Sequence, residues 1–188
     1  MNVPEQDLKV RIKQAAVNQF DSDGYHGTTI RNIAKAVDCS LPMVYYYFQS
    51  KRELFHEIIK KDYFELLKRQ AAKVHADDLV EFYTEFVYML RFLNDYDRKV
   101  YRLGVKVYLS FDGDEELKHV MDEWERSILP RHCQLVLPRL KDAGDGIVLV
   151  RTLMHLLENL VENIVVKNRA LTREEIREEL QVVLSGRY

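Results

Sequence analysis

Apolar side chains recur at steps of three and four residues along most of the chain, which is the spacing of helices rather than strands. In the first sixty residues this pattern predicts a helix over about 7–21, a short helix over 30–37, a second short helix from about 41, and a longer helix from residue 50. Each helix has one apolar stripe, so we expect the first three to pack into a small bundle.

Local signals mark where these helices begin. Thr28 or Thr29 is placed to cap the second helix. Pro42 suits the first turn of the third helix, where a backbone N–H has no partner within the helix. Residues 50–53, Ser-Lys-Arg-Glu, form a capping box for the fourth. Two short helices joined by a turn of about three residues predict a helix-turn-helix, the alternative being an ordinary pair of packed helices.

The remaining residues predict further helices around a second core. The helix that opens at Ser50 continues past residue 70 and is long enough to link two domains. Pro130 predicts a kink or break at Leu129, and residues 171–176 contain a second capping box. The predicted fold is all-α with about nine helices: a three-helix helix-turn-helix domain over residues 1–50, and a C-terminal helical domain over 51–188.

Composition restricts the class of protein further. The chain has 188 residues, of which 47% are apolar and 31% charged, as in ordinary globular domains. It has no apolar run of the ~18 residues needed to cross a bilayer, and its first residues do not resemble a signal peptide. Cys39 and Cys133 are far apart in sequence, which favours a reducing compartment. We expect a cytoplasmic protein with no membrane partner.

Charge alone does not indicate a nucleic-acid partner, because the formal net charge is −2. The segment from Thr28 to Lys61 carries six basic and three acidic side chains, a weak basic surplus. The acidic remainder fits a second domain that does not contact phosphate.

The residues from Ile12 to about Ile58 resemble the TetR family of bacterial transcriptional regulators. The positions that carry the resemblance are Ile12, Ala15, Ala16, Phe20, Gly24, Tyr25, Thr28, Thr29, Ile33, Ala34, Val37, 44–48, Ser50, Lys51, Glu53 and Leu54. Two positions depart from the usual pattern: Pro42 stands where many members have Gly, and Cys39 stands where Val is usual.

The helix-turn-helix predicts a DNA site. The front of a recognition helix reads base edges, and Leu41, Pro42 and Met43 suit thymine methyl groups. The resemblance implies that Arg31 contacts a base. The resemblance also implies that Tyr45, Tyr46 and Tyr47 contact phosphate or sugar. Thr28, Thr29 and Lys51 stand at helix starts, which favour phosphate, and Ser40 is a further candidate for DNA binding. The alternative for each is exposure or capping without a DNA role, and Tyr47 could equally be core.

The resemblance also implies a homodimer built from the two last helices, which would bind an inverted repeat in a double-stranded DNA operator. Two recognition helices would then lie about one helical turn, ~34–36 Å, apart. The candidate interface residues are Leu153, Leu157, Leu160, Ile164, Ile176 and Leu180. The alternative is that they form the core of one protomer.

The resemblance further implies that the domain over 51–188 serves both dimerisation and ligand binding, with a pocket in its central helices for a small apolar or aromatic effector. The candidate lining residues are Phe82, Tyr83, Phe86, Tyr101, Tyr108, Phe111, Met121 and Trp124, with packed core as the alternative. Gly104 lies inside a predicted helix, where it would allow a close helix approach or leave room for a ligand. No cofactor is expected, and His119, His132, His155 and Glu158 do not form a convincing metal set.

The patterns together with the resemblance predict a sequence-specific DNA-binding transcriptional regulator, and the resemblance implies a repressor released from its operator by a small-molecule effector. One alternative is an all-α enzyme using His155 with Glu158 or Glu162, although the sequence has no nucleophile elbow or phosphate loop. Another alternative is a helical module whose helix-turn-helix binds protein.

Overall fold

The computed structural model describes residues 5–110, 114–140 and 144–184. Within these ranges the protein consists of nine helices and no strand, which confirms the predicted all-α fold. The helices are α1 (Glu5–Gly27), α2 (Ile30–Ala36), α3 (Leu41–Tyr47), α4 (51–71), α5 (Leu79–Met89), α6 (Asp95–Ser110), α7 (Glu115–Val136), α8 (146–166) and α9 (Arg173–Leu184). Two of them contain π-helical turns, at Ile58–Tyr63 in α4 and at Glu162–Val166 in α8.

The chain divides into two compact units. The first contains Met1–Leu66 and Asn94–Leu117, and the second contains Leu67–Leu93 and Lys118–Tyr188. Helices α4 and α7 each contribute residues to both units. The predicted domain boundary at residue 50 concerns where the DNA-binding part ends, and it stays a prediction.

The first unit is built around side chains that the predicted stripes place inward. Ile12 of α1, Ile33 of α2, Val44 of α3 and Leu54 of α4 are completely buried. Gly24 interrupts α1 with a φ of 73°, as expected for a glycine that turns the chain at a helix end. One further turn of helix follows it to Gly27.

Helix α6 packs on α1 and on the π-helical turn of α4 in the same unit. Arg102 of α6 donates from Nε to the Asp21 carboxylate of α1 over 3.0 Å. Gly104 of α6 faces the buried Tyr63 ring so closely that a Cβ at position 104 would overlap it. Of the two roles considered for Gly104, the structure shows the close helix approach.

In the second unit, α9 packs against α5 and α8. Its start is the predicted capping box, which is confirmed: the Glu175 amide donates to Thr172 Oγ1 over 3.2 Å, and the Thr172 amide donates to Glu175 Oε2 over 2.7 Å. Helix α7 continues across Pro130, so of the kink or break predicted at Leu129, the break does not occur. None of the described helices is both long and apolar enough to cross a membrane.

Gly104→Ala tests the approach of α6 to α4. Alanine normally stabilises a helix interior by about 1 kcal/mol relative to glycine. Here we expect the opposite sign, a loss of about 1–3 kcal/mol in the free energy of unfolding, because the added methyl overlaps the Tyr63 ring. Urea unfolding measures the change, and a variant more stable than wild type would contradict the close approach.

Candidate nucleic-acid interface

Helix α2 and the turn after it are fixed by local hydrogen bonds. Thr29 is extended, and its Oγ1 accepts from the Asn32 amide over 3.1 Å, so Thr29 is the N-cap. After α2, Asp38 has a φ of 53°, a left-handed conformation that is uncommon for a residue other than glycine. The Arg11 guanidinium of α1 donates to the Val37 carbonyl over 2.8 Å. This hydrogen bond attaches the turn after α2 to α1.

Helix α3 is held to the unit on one side. Val44 and Phe48, at its centre and its end, are completely buried, and Ser40 precedes it in extended conformation. Its other side is open: Met43, Tyr45 and Tyr46 are 39%, 49% and 69% exposed. A helix with two fixed apolar anchors thus presents its remaining side chains outward.

The structure places most of the predicted DNA-binding residues on exposed parts of α2 and α3. We call this surface the α2–α3 face. Its exposed members are Thr29, Arg31, Ser40, Pro42, Met43, Tyr45 and Tyr46. Leu41 and Tyr47 are half-buried at its edge, and the Tyr47 ring meets the Tyr46 ring edge to face, with centroids 5.1 Å apart.

Thr28 and Lys51 differ from the others because both are hydrogen-bonded inside the unit. Thr28 is completely buried, and its hydroxyl donates to the Gly24 carbonyl over 2.8 Å. The Lys51 ammonium donates to the carbonyls of Tyr25 and Thr28 over 2.8 and 2.9 Å. The structure therefore groups these two residues with the α1–α2 junction, and their predicted contact with phosphate stays a prediction.

A cluster of charges ties α4 to the start of α7 within the first unit. We call it the Asp114 clamp. Arg52 Nε donates to Asp114 Oδ2 over 2.9 Å, and His56 Nε2 lies 2.6 Å from the same oxygen. Asp114 Oδ1 also accepts from the Leu117 amide over 3.1 Å, which caps α7. One turn along α4, Lys60 pairs with Glu116.

The clamp sets the charge state of Asp114. Burial alone would raise the pKa of this carboxyl, but hydrogen bonds from Arg52, His56 and the Leu117 amide outweigh burial and hold the pKa well below its usual range. No local pattern in the sequence indicated this cluster, because Arg52 and His56 lie about sixty residues before Asp114.

The same cluster contains side chains that could bind a metal ion. His56, Asp114 and Glu116 offer ligand atoms within 4.8 Å of one another, beside an open polar hollow. Arg52 and Lys60 already neutralise the two carboxylates. A metal ion would have to displace both cations, so the arrangement favours an ion-pair network.

The predicted effector residues are divided between the two units. In the second unit Tyr83 and Met121 are buried, and Phe82, Phe86 and Trp124 are half-buried. In the first unit Tyr101 is half-buried and Tyr108 is 41% exposed. Phe111 lies outside the described residues.

The interior of the second unit contains a polar pair that sequence reasoning did not find. The Tyr83 hydroxyl lies 2.7 Å from His132 Nδ1. Burial raises the pKa of Tyr83 and lowers the pKa of His132, so both groups stay neutral at physiological pH. The two residues are 49 positions apart in the sequence, so no local pattern indicated that they would pair.

The predicted dimer residues are packed inside one protomer. All six of them, Leu153, Leu157, Leu160, Ile164, Ile176 and Leu180, are buried in the single chain. Their stripes contribute to the contacts among α5, α8 and α9 of the same unit, so the alternative of a protomer core describes them better. The apolar side chains that α8 and α9 expose are Ile147, Val148, Val166 and Val182. Any contact of these helices with a second copy must use that outward side.

A short outward helix carried by a three-helix domain, followed by a second helical unit, defines the class of protein: an all-α helix-turn-helix protein. Residues 12–58 match the family of bacterial regulatory proteins described as the tetR family. This match assigns the helix-turn-helix region, residues 12–58, to that family, and the fold of the described chain is similar to that of TetR-like regulators.

Relatives and solved structures agree with this assignment. The biofilm operon icaADBC HTH-type negative transcriptional regulator IcaR of Staphylococcus epidermidis is 26% identical over 121 residues, and the match spans 62% of each chain. A TetR-like transcriptional regulator from Rhodococcus sp. RHA1 has the same fold, with a TM-score of 0.75, 17% identity and coverage of 99% of this chain and 100% of that one. The multidrug binding protein EbrR, complexed with imidazole, has a TM-score of 0.58, 22% identity and coverage of 96% and 90%.

Asp114→Asn tests the clamp. The substitution keeps the shape and the cap on α7 but removes the charge that faces Arg52 and His56. We expect a loss of about 2 kcal/mol in the free energy of unfolding at neutral pH, less than for a fully buried pair because Arg52 is half exposed. Asp122→Asn, at an exposed position of α7, is the matched control. Urea unfolding measures both variants.

The clamp also predicts how the free energy of unfolding changes with pH. Because the folded-state pKa of Asp114 is below the unfolded value of about 3.9, its contribution is complete above that value and is lost as the pH falls through the folded-state pKa. The stability gap between wild type and Asp114→Asn should therefore narrow as the pH falls below about 4. A gap of constant size, or one equal to that of Asp122→Asn, would contradict the clamp.

Proposed function

We propose that this protein binds double-stranded DNA sequence-specifically through the α2–α3 face and represses transcription. The observation that carries the proposal is the presentation of α3: Val44 and Phe48 are buried, and Pro42, Met43, Tyr45 and Tyr46 are exposed. Repression is supported by the relative from S. epidermidis, which is described as a negative regulator. The match spans less than two thirds of that relative, so its activity enters here as part of the proposal.

The face offers chemistry suited to both kinds of DNA contact. Met43 and Pro42 present apolar groups that pack against thymine methyls, and the Arg31 guanidinium can donate two hydrogen bonds to guanine. Tyr45 and Tyr46 present exposed hydroxyl-bearing rings for phosphate or sugar. The half-buried Leu41 lies at the edge of this surface.

The proposed DNA complex contains a homodimer on an inverted repeat. One helix-turn-helix reads few base pairs, and two-fold symmetry places two recognition helices about 34–36 Å apart in successive turns of the major groove. The outward side of α8 and α9 supports such a dimer, because Val148 and Val182 are 62% and 80% exposed there. Exposed apolar side chains of this kind are a common feature of protein–protein interfaces.

We also propose that the second unit binds a small apolar or aromatic effector that releases the DNA. Its half-buried aromatic residues and the Tyr83–His132 pair provide apolar surface with a polar group to orient a ligand. The helical relative EbrR was crystallised with imidazole. A ligand shifts the DNA-binding equilibrium only by its different affinity for the two states. A screen for compounds that release bound DNA tests this part.

The enzymatic alternative has weaker support. His155 and Glu158, the residues it would use, are exposed on α8. Acid–base groups in active sites usually lie in clefts, where burial shifts their pKa values.

Arg31→Ala tests base reading. Duplexes bound by the wild type are first selected from random DNA, and binding is then measured by fluorescence anisotropy. Loss of a bidentate guanine contact should weaken binding to the selected duplex about 10- to 100-fold and relax the sequence preference at one position of each half-site. Arg131→Ala, at an exposed position of α7 in the second unit, is the control. Wild-type affinity in Arg31→Ala would contradict the base contact, and a wild type that selects no duplex would overturn the proposed function.

Val148→Glu tests the dimer surface. A carboxylate on the outward side of α8 should oppose another copy, which lowers the dimer fraction without lowering the free energy of unfolding of the protomer. Sedimentation equilibrium measures the dimer fraction. Val10→Glu is the matched control, since Val10 is 48% exposed on α1. If both variants dimerise as the wild type does, this side of α8 is not the interface.

A further inference from the structure

The Lys51 ammonium is directed into the protein at the start of α4. It donates to two backbone carbonyls, those of Tyr25 and Thr28, over 2.8 and 2.9 Å. It also lies 4.4 Å from the centroid of the Tyr25 ring. Two backbone carbonyls and one aromatic ring therefore attract the Lys51 ammonium toward the α1–α2 junction.

Thr28 completes the same junction. Its amide and its hydroxyl both donate to the Gly24 carbonyl, over 3.2 and 2.8 Å, and its own carbonyl accepts from Lys51. Thr28 is completely buried, so its two donors and its carbonyl are satisfied inside the unit. The next residue, Thr29, is the N-cap of α2.

We propose that Lys51 and Thr28 are positioning residues for DNA recognition and do not contact phosphate. Lys51 is the first residue of α4, which follows α3 after three residues, and it joins α4 to the residue just before the cap of α2. Together the two residues fix where α2 begins relative to α4, and so where Thr29 and Arg31 are presented. This inference rests on the proposed DNA-binding function.

Salt dependence separates positioning from phosphate contact. Each phosphate that a protein neutralises contributes about 0.9 to the slope of log affinity against log salt concentration on B-DNA. A positioning residue changes the fit of the face to its sequence and leaves the number of neutralised phosphates unchanged. Removing such a residue should weaken specific binding, with the slope and the non-specific affinity preserved.

Lys51→Met is the test, because methionine keeps an unbranched stem and removes the donors. Anisotropy with the selected duplex, over a range of KCl concentrations, should show a loss of about tenfold, the scale of one charge-assisted hydrogen bond, with an unchanged slope. Binding to a scrambled duplex should not change. Lys51→Arg, which can still donate to both carbonyls, should recover much of the lost affinity. The control Lys118→Met removes an exposed lysine of the second unit and should match wild type.

Thr28→Val is an independent test of the positioning role. Valine keeps the buried shape and removes the hydroxyl that donates to Gly24. The same pattern is expected: weaker binding to the selected duplex, an unchanged slope, and recovery in Thr28→Ser. This variant also serves if Lys51→Met does not fold, which circular dichroism at the assay temperature would show.

Two results would overturn the inference. One is a slope reduced by about 0.9 in Lys51→Met, with specific and scrambled duplexes weakened equally, which indicates a phosphate contact. The other is wild-type affinity in both Lys51→Met and Thr28→Val. If the wild type selects no duplex, the proposed function fails instead. The positioning role is then judged in the free protein, where Lys51→Met should speed hydrogen exchange at the start of α2 but not in α9.

Discussion

The rest of the structure depends on the one-sided burial of α3. A helix of seven residues is too short to be stable alone, and Val44 and Phe48 are the completely buried side chains that hold it. Because these anchors pack into a unit with α1 and α2, they fix which side of α3 remains open. Met43, Tyr45 and Tyr46 are exposed because they lie on that open side. A polar substitution at Val44 or Phe48 would remove the packing that fixes which side of α3 is exposed.

Helix α4 is held in the first unit by two sets of hydrogen bonds. Its first residue, Lys51, is bound to the α1–α2 junction, and Arg52 and His56 are bound to Asp114 at the start of α7. Among the described helices, α4 and α7 contribute to both compact units. The Asp114 clamp therefore joins, within the first unit, two helices that contribute residues to both units.

The sequence predicted features that depend on residues within about four positions of one another. Thr29, Ser50 and Thr172 cap helices as their local patterns indicate. Contacts across long separations had no such signal: Lys51 bonds to carbonyls 26 and 23 residues earlier. The apolar pattern of α8 predicted burial correctly but could not show whether the covering surface belongs to the same chain, and the structure shows that much of it does. Charge was also uninformative, because the segment from Thr28 to Lys61 has only a small surplus of basic over acidic side chains.

Hydrogen exchange of the backbone amides, with and without a bound duplex, tests the central claim most directly. In the full chain bound to its selected duplex, we expect new protection in α2, α3 and the first turn of α4. Because α3 is only seven residues long and one of its sides is exposed, its amides should exchange readily in the free protein and show the largest change. Protection confined to the second unit, with α2 and α3 unchanged in a saturated complex, would contradict the claim.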